Sequence, residues 1–358
     1  MTALNLHEFH HQLGATFAEL NDAEVVADYG KVAAEYVALR ESAGVLDLSF
    51  RSRLCLVGAD RARFLHGQVT NDVKKLRAGE GCYAALTTAK GKMESDLNIF
   101  CLAGELLLDF EPGLAGKISA RLEKFIVADD VQIVDAAPHY GLLSVQGPQA
   151  AAVIRALNIF PEIPSLPLAS EKISDATLGE IYLANHARLG GSGFDLFIPQ
   201  ASLGAVADKL IAAVKSFGGG ASGWRAFEIA RVETGIPRFS ADMDETNLPL
   251  ECGIEARAIV YNKGCYVGQE VINRVHSFGH VTKELRRLRL ADELQNLPGR
   301  GEKISHAGKD VGYITSAVKL PLTGANVALG YVRREAIRTA ADLELTLAGQ
   351  TSRVTVSS

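Results

Sequence analysis

Between residues 82 and 110 the chain holds three short extended runs, Cys82–Thr88, Met93–Cys101 and Glu105–Phe110. Ala89-Lys90-Gly91-Lys92 and Ala103-Gly104 join them. Along Met93–Cys101, Glu94, Asp96 and Asn98 alternate with Met93, Ser95, Leu97 and Ile99 with the period of a strand, and all three runs read as strands,. The connections have turn chemistry and are short, so each run must fold back beside the one before it as an antiparallel meander.

Other segments fit the same mixed texture. Ala33, Tyr36, Val37 and Leu39 make an amphipathic helix that Gly44 can end,. Leu46, Leu48, Leu54 and Leu56 then alternate as strand residues. Asp60 is placed to cap a short helix through Phe64 and Leu65, leading into the Gly67–Asp72 turn,. A helix through Leu114, Ile118, Leu122 and Phe125 precedes a strand at Val131–Val134, and Leu142–Leu157 reads as a strand–helix step. Phe160–Leu168 holds three prolines and reads as a surface loop,. Strands around Ile181 and Phe194 lead to a helix over Leu203–Phe217, and Ser222 is placed to cap another through Trp224, Phe227 and Ile229. After about His280, short alternating segments (Leu285–Leu290, Val311–Ile314, Val327–Tyr331, Leu343–Leu347) are separated by Gly, Pro and Asn turns. That pattern predicts a small all-β barrel over 280–358, apart from a larger region over 1–279. The fold class expected is α+β with mostly antiparallel sheets.

With 358 residues the chain exceeds what one core usually organises, so two or three domains are expected,. A net charge of −5 argues against direct nucleic-acid binding,. The five cysteines (55, 82, 101, 252 and 265) form no C-x-x-C pair and have no histidine at ligand spacing. That is the usage of a reduced compartment. Met1–Leu20 lacks the blocks of a signal peptide, and no apolar run approaches a membrane span,. A soluble, cytoplasmic monomer that does not engage a membrane is expected.

His7-Glu8-Phe9-His10-His11 satisfies the H-E-x-x-H zinc pattern,. Only six residues precede it and no third ligand follows at a suitable spacing, so it reads as a polar helical face and no metal is expected. Lys263-Gly264-Cys265-Tyr266-Val267-Gly268-Gln269-Glu270 is more informative. Its glycines allow close backbone approach, and Val267, Val271 and Val275 begin a helix at i,i+4 spacing,. A loop feeding a helix N-terminus suits an anionic or polar ligand, and Cys265 beside Lys263 would gain thiolate character there. A structural turn with a buried cysteine is the equal alternative. Glu94 and Asp96 share one strand face, either solvated or aimed at a ligand,. Asp195 stands between large apolar residues, at an edge or in a pocket. Arg231 and Glu233 close a helix, paired with neighbours or with a ligand.

Six segments in one order carry a wider resemblance: Ala43–Ser49 (AGVLDLS), Phe64–Val73 (FLHGQVTNDV), Lys90–Leu97, Gly193–Pro199, Arg231–Pro237 and Lys263–Glu270. The series resembles the T-protein (GcvT) aminomethyltransferase family across nearly the whole chain. KGCYVGQE is similar to the signature of its YgfZ branch, which is folate-dependent and linked to iron–sulfur cluster assembly or repair and to tRNA modification. The resemblance implies a three-domain ring of two discontinuous α+β domains and a C-terminal β-barrel, with tetrahydrofolate in a central channel. It implies that Asp195, where T-proteins usually carry glutamate, accepts the pterin's donors, and that Arg231 meets the folate's glutamate tail. Lys90, Lys92 and Lys263 would add positive potential towards that tail. Asp96 matches the catalytic aspartate of T-proteins, whereas Cys265 has no counterpart in them and would be a second functional group. The function implied is support of iron–sulfur client enzymes, including tRNA-modifying ones. The alternative is a folate-dependent aminomethyltransferase or demethylase, and a folate-free scaffold is a third reading.

Overall fold

The computed structural model describes residues 2–339, 342–347 and 349–357. Two sheets and a barrel carry the fold. The meander is present as strands Gly81–Thr87, Met93–Cys101 and Leu106–Phe110, extended by Ser52–Val57 and Gln132–Asp135 into a five-stranded sheet. Neighbouring strands in it are antiparallel throughout. A six-stranded sheet takes Ser170–Asp175, Gly179–Asn185, Gly193–Pro199, Tyr140–Gln146, Gly44–Asp47 and Gly220–Ala221 in that order, with only the last pair parallel. The expectation of α+β with mostly antiparallel sheets and a C-terminal β-barrel is met.

Alternating leucines at 46–56 do not form one strand. Gly44–Asp47 and Ser52–Val57 belong to different sheets, and the chain passes between domains in the few residues separating them. Each sheet is therefore built from separated stretches of the chain. Gly44 opens a strand instead of ending a helix. A Cβ there would stand 2.5 Å from Ser222 Oγ and 2.6 Å from a Leu39 methyl, so close packing demands the glycine,. Ser222 caps no helix; its hydroxyl donates to Glu35 O, and Gly223 precedes the helix Trp224–Thr234. The strands Thr16–Leu20 and Ala23–Asp28 form an N-terminal hairpin that the sequence reading did not contain.

Each sheet covers its own apolar cluster. Leu54, Leu86, Leu97, Ile99, Leu108 and Phe110 fill one face of the five-stranded sheet beneath the helix Ala115–Glu123. Val145, Ile181, Leu196, Val206 and Leu210 do the same for the six-stranded sheet beneath Leu203–Ser216. The largest cluster lies between the domains, where Phe100, Leu107, Phe197, Phe227 and Tyr331 meet. It draws the opposite faces of both sheets and the barrel together, and it frames the central cavity. The barrel is closed by six strands from Lys283–Leu290 to Gln350–Val356, which leaves no unpaired edge,. Among the described residues, no helix is long and apolar enough to cross a membrane.

Candidate active site

A cavity of about 400 Å³ opens where the two sheets and the helix Trp224–Thr234 converge, within the size range of small-molecule sites,. The meander supplies Tyr83, Asp96 and Asn98, and the six-stranded side supplies His186 and Arg188. Arg51, Glu111, Phe227, Arg238 and Arg257 add charged and aromatic groups to the lining.

Strand pairing places Asp96. Tyr83 faces Asn98 and Ala85 faces Asp96 across the hairpin, so the tyrosine reaches the carboxylate diagonally,. Its hydroxyl donates to Asp96 Oδ2 at 2.8 Å. Oδ1 has no hydrogen-bond partner among the described residues, which leaves one carboxylate oxygen for a ligand. Burial, reinforced by the charge of Glu111, raises the Asp96 pKa above its ordinary value; Tyr83, Arg51 and Arg257 oppose that rise. Glu94 shares its strand face with Asp96 but has another role. It binds Arg121 Nε at 2.8 Å, away from the cavity.

Through the lining and behind it runs a chain of buried ion pairs that links both sheets and the barrel. Asp195 accepts from His186 Nδ1 at 2.8 Å and from Arg188 Nη2 at 2.7 Å. Arg188 also donates to Asp109 at 2.8 Å, and Asp109 accepts from Arg51 Nε at 2.8 Å. Arg51 continues to Glu111 at 2.9 Å, and Glu111 to Arg238 at 2.6 Å. Arg238 reaches Glu228 at 2.9 Å, Glu228 pairs with Arg231 at 2.7 Å, and Arg231 with Asp242 at 2.5 Å. Asp242 finally takes hydroxyl hydrogens from Thr315 and Ser316 of the barrel. Charges taken this far from water are tolerable only when each is paired and hydrogen-bonded. Arg188 and Arg51 hold the Asp109 carboxyl far below the usual range despite its burial. Burial alone would raise Asp195, but Arg188 and His186 pull it down to about 2. Burial and Arg188 lower the His186 pKa, so His186 is neutral near pH 7. A neutral ring donating Nδ1–H to Asp195 keeps Nε2 as a lone-pair acceptor on the cavity side.

The expected site residues are therefore spread. Asp96 lines the cavity. Asp195 stands one layer back, fully buried, with both oxygens occupied by Arg188 and His186. Arg231 is two ion pairs beyond the lining residue Arg238, bound to Glu228 and Asp242 instead of presenting a free fork. Lys263 does not project its ammonium into the cavity; Nζ donates to the carbonyls of His66, Val69 and Asn71 at 2.7, 2.7 and 2.8 Å. That arrangement pins the octapeptide to the Gly67–Asp72 turn. Lys90 is exposed in the hairpin turn, and Lys92 donates to Thr246 O. Cys265 is exposed, so it is neither the buried cysteine of a structural turn nor a lining residue of the cavity. The helix that follows starts at Gln269, after Gly268 at φ 90°. A Cβ at Gly268 would lie 2.5 Å from Thr88 O, so this glycine locks the octapeptide onto the meander turn,. His10, in the rejected zinc pattern, is buried and binds Asp47 at 2.9 Å and Tyr29 at 2.8 Å. Its helical face is thus part of the packing, not simply polar surface.

Sequence reasoning missed Tyr83, His186, Arg188 and Arg257. Arg257 is exposed at the cavity, stacks 4.4 Å over the Tyr83 ring, and has no carboxylate within ion-pair distance among the described residues. Only the pairing register could have revealed Tyr83, and nothing periodic marks Arg257.

Comparisons with known proteins agree with this architecture. Residues 6–263 match the GCVT N-terminal domain, and residues 283–358 match the glycine cleavage T-protein C-terminal barrel domain. The aminomethyltransferase of Shouchella clausii is 26% identical over 357 residues, covering 98% of this chain and 95% of the relative. A probable aminomethyltransferase of Halobacterium salinarum is 28% identical, covering 91% and 89%. The crystal structure of the glycine cleavage system aminomethyltransferase T from Bartonella henselae superposes with a TM-score of 0.90 at 23% identity, over 100% of this chain and 97% of that one. The chain belongs to the glycine cleavage T-protein (GcvT) family, whose cofactor is tetrahydrofolate.

Proposed function

We propose that this protein binds tetrahydrofolate in the central cavity and transfers an aminomethyl-derived one-carbon unit to it. The observation that carries the reading is Asp96, with Tyr83 on one carboxylate oxygen and the other free at the cavity. The donor set suits the cofactor. Phe227 and Leu168 offer apolar surface to a flat ring, while the free guanidinium of Arg257 offers a fork to a glutamate-tail carboxylate,. Bound there, tetrahydrofolate supplies the amine nitrogens that receive the one-carbon unit.

The protein's own groups hold and orient. Asp96 Oδ1 accepts a hydrogen from an incoming aminomethyl group and fixes its approach. A carboxyl raised by burial is better suited to exchanging that proton than an ordinary aspartate. His186 Nε2 accepts from a pterin N–H, and Asp195 acts behind it as the positioning residue that fixes the tautomer, with Arg188 held alongside. Arg231 fastens the barrel to this frame through Glu228 and Asp242. Incubation with tetrahydrofolate and an aminomethyl-lipoyl carrier is expected to yield methylenetetrahydrofolate, ammonia and the free thiol. Absence of product from protein that binds tetrahydrofolate would overturn the transfer reading.

The exposed Cys265 favours a second reading. Its octapeptide is held rigid by Lys263 on three carbonyls and by Gly268 against Thr88, yet it presents the thiol to solvent. In this reading the folate-binding frame supports assembly or repair of iron–sulfur client enzymes, including tRNA-modifying ones, with Cys265 meeting a partner. Cys265→Ala is then expected to fold normally and to fail in restoring iron–sulfur enzyme activity in cells lacking the protein. Full restoration would remove this reading.

A further inference from the structure

The two sheets enclose a second cavity between them, of about 310 Å³, which shares no lining residue with the central one. Strand register builds its walls. Cys55 pairs with Leu107 on one side and with Val134 on the other, so these three share the inward face of the five-stranded sheet,. Glu105 stands two residues before Leu107 and lines the cavity from the same side,. Opposite them, Tyr182 pairs with Phe197 and Tyr140 with Pro199, which puts both tyrosines and the phenylalanine on one face of the six-stranded sheet. Tyr140 and Tyr182 meet edge to face at 6.3 Å. Val134 faces inward yet is 43% exposed, because Gln132–Asp135 is the edge strand, and the cavity reaches solvent along that edge.

Glu105 gives this apolar and aromatic gap its charge. It is half-buried, lies against the Cys55 thiol, and has no cation within ion-pair distance among the described residues. Burial, then Glu105, push the Cys55 thiol well above its ordinary pKa, so the cavity holds no activated nucleophile and its chemistry is that of a binding site. Burial, then Glu180 and Glu105, also raise the Tyr140 and Tyr182 phenols. Glu180 is neutralised by Lys172 at 2.7 Å, whereas Glu105 is not neutralised by a neighbour. Arg53 touches the cavity too, but Nε and Nη1 are enclosed, and Nη2 donates to the carbonyls of Ser49 and Tyr140 at 3.1 and 2.7 Å. Nothing bound in the cavity meets that guanidinium, and Asp109, Asp47 and Asp135 oppose its charge through the protein. An unpaired carboxylate beside aromatic rings suits an organic cation: the oxygens accept N–H hydrogen bonds and the ring faces attract the charge.

We propose that this cavity binds a small primary ammonium with an apolar or aromatic body, its ammonium between Glu105 and the rings of Tyr140 and Tyr182 and its body against Leu107 and Phe197. Neutral and anionic molecules of the same shape bind less well, because each leaves Glu105 without a counter-charge. The site is distinct from the cavity assigned to tetrahydrofolate, so its test does not depend on that assignment.

The test uses the full chain near neutral pH, with 2-phenylethylammonium as probe, 2-phenylethanol as its neutral isostere and 3-phenylpropanoate as the anion, by calorimetric titration and thermal shift. The ammonium is expected to bind at one site and raise the melting temperature. The alcohol is expected to bind at least about tenfold more weakly, the loss for removing the charge from a hydrogen bond to a carboxylate, and the anion more weakly still. Glu105→Gln keeps the shape and removes the charge. It is expected to melt with the intact protein in the absence of probe, since Glu105 is half-buried and unpaired, and to bind the ammonium no more tightly than the alcohol. Equal binding of ammonium and alcohol by the intact protein, undiminished ammonium binding by Glu105→Gln, or no binding of the ammonium at all would each overturn the proposal.

Discussion

Replacing Asp109 by asparagine tests whether the buried ion-pair chain holds the two sheets and the barrel together. Asp109 is fully buried and accepts from Arg51, Arg188 and Asn98 at 2.8, 2.8 and 3.1 Å. Asparagine keeps the volume but removes the charge, and its amide turns two hydrogens towards groups that only donate. Arg51 retains Glu111 and Arg188 retains Asp195, so neither guanidinium becomes wholly unpaired. Breaking a buried pair typically costs about 3–5 kcal/mol. The retained partners put Asp109→Asn at the lower end, about 3 kcal/mol, or a fall in melting temperature of roughly 6–12 °C. The control is Arg353→Gln, which removes an ion pair to Asp342 with both partners mostly exposed, and is expected to change stability by under about 0.5 kcal/mol,. Urea midpoints and calorimetric melting measure both variants. An Asp109→Asn midpoint within error of the control would refute the reasoning, because it would mean that the network is slack or hydrated.

Other outcomes follow from the same geometry. Acid should loosen the protein. The carboxyls of Asp109 and Asp195 are depressed in the folded state, so their contribution is present above the unfolded carboxylate value of about 4 and is lost as pH falls towards about 2,. Melting followed across that window checks it. Tyr83→Phe removes a hydrogen bond that favours the ionised form of Asp96, so the acid limb of transfer activity should move to higher pH in a pH–rate profile. Gly268→Ala should destabilise by more than about 1 kcal/mol, since a side chain there combines φ 90° with a Cβ 2.5 Å from Thr88 O,. Cys265→Ala should leave the melting temperature unchanged, because the thiol is exposed,.

The architecture was legible where local chemistry is decisive. Period-two alternation over Met93–Ile99 and turn residues at 89–92 and 103–104 specify the meander without help from the rest of the chain. The turn-rich texture after His280 similarly announces the barrel. The division of 44–57 between two sheets was not legible, because alternation is a property of one strand and says nothing about its neighbours,. The site divides along the same line. Asp96 could be named from its motif. Tyr83 reaches Asp96 through the register of one hairpin, and His186 and Arg188 lie in the connection between Gly179–Asn185 and Gly193–Pro199, so no motif in the sequence marks them. Arg231, Asp195 and Lys263 sit in conspicuous motifs but are each taken up by partners of their own within the protein, and motif wording cannot show whether a charge meets a ligand or a buried partner.

Titration of the intact chain with tetrahydrofolate, beside Asp195→Asn at a temperature where both variants are folded, tests the central claim most directly. The account predicts saturable one-site binding by the intact chain, and a large loss in the variant as His186 and Arg188 lose their anchor. No binding by the intact chain, or equal binding by the variant, would contradict the assignment of this cavity to the folate.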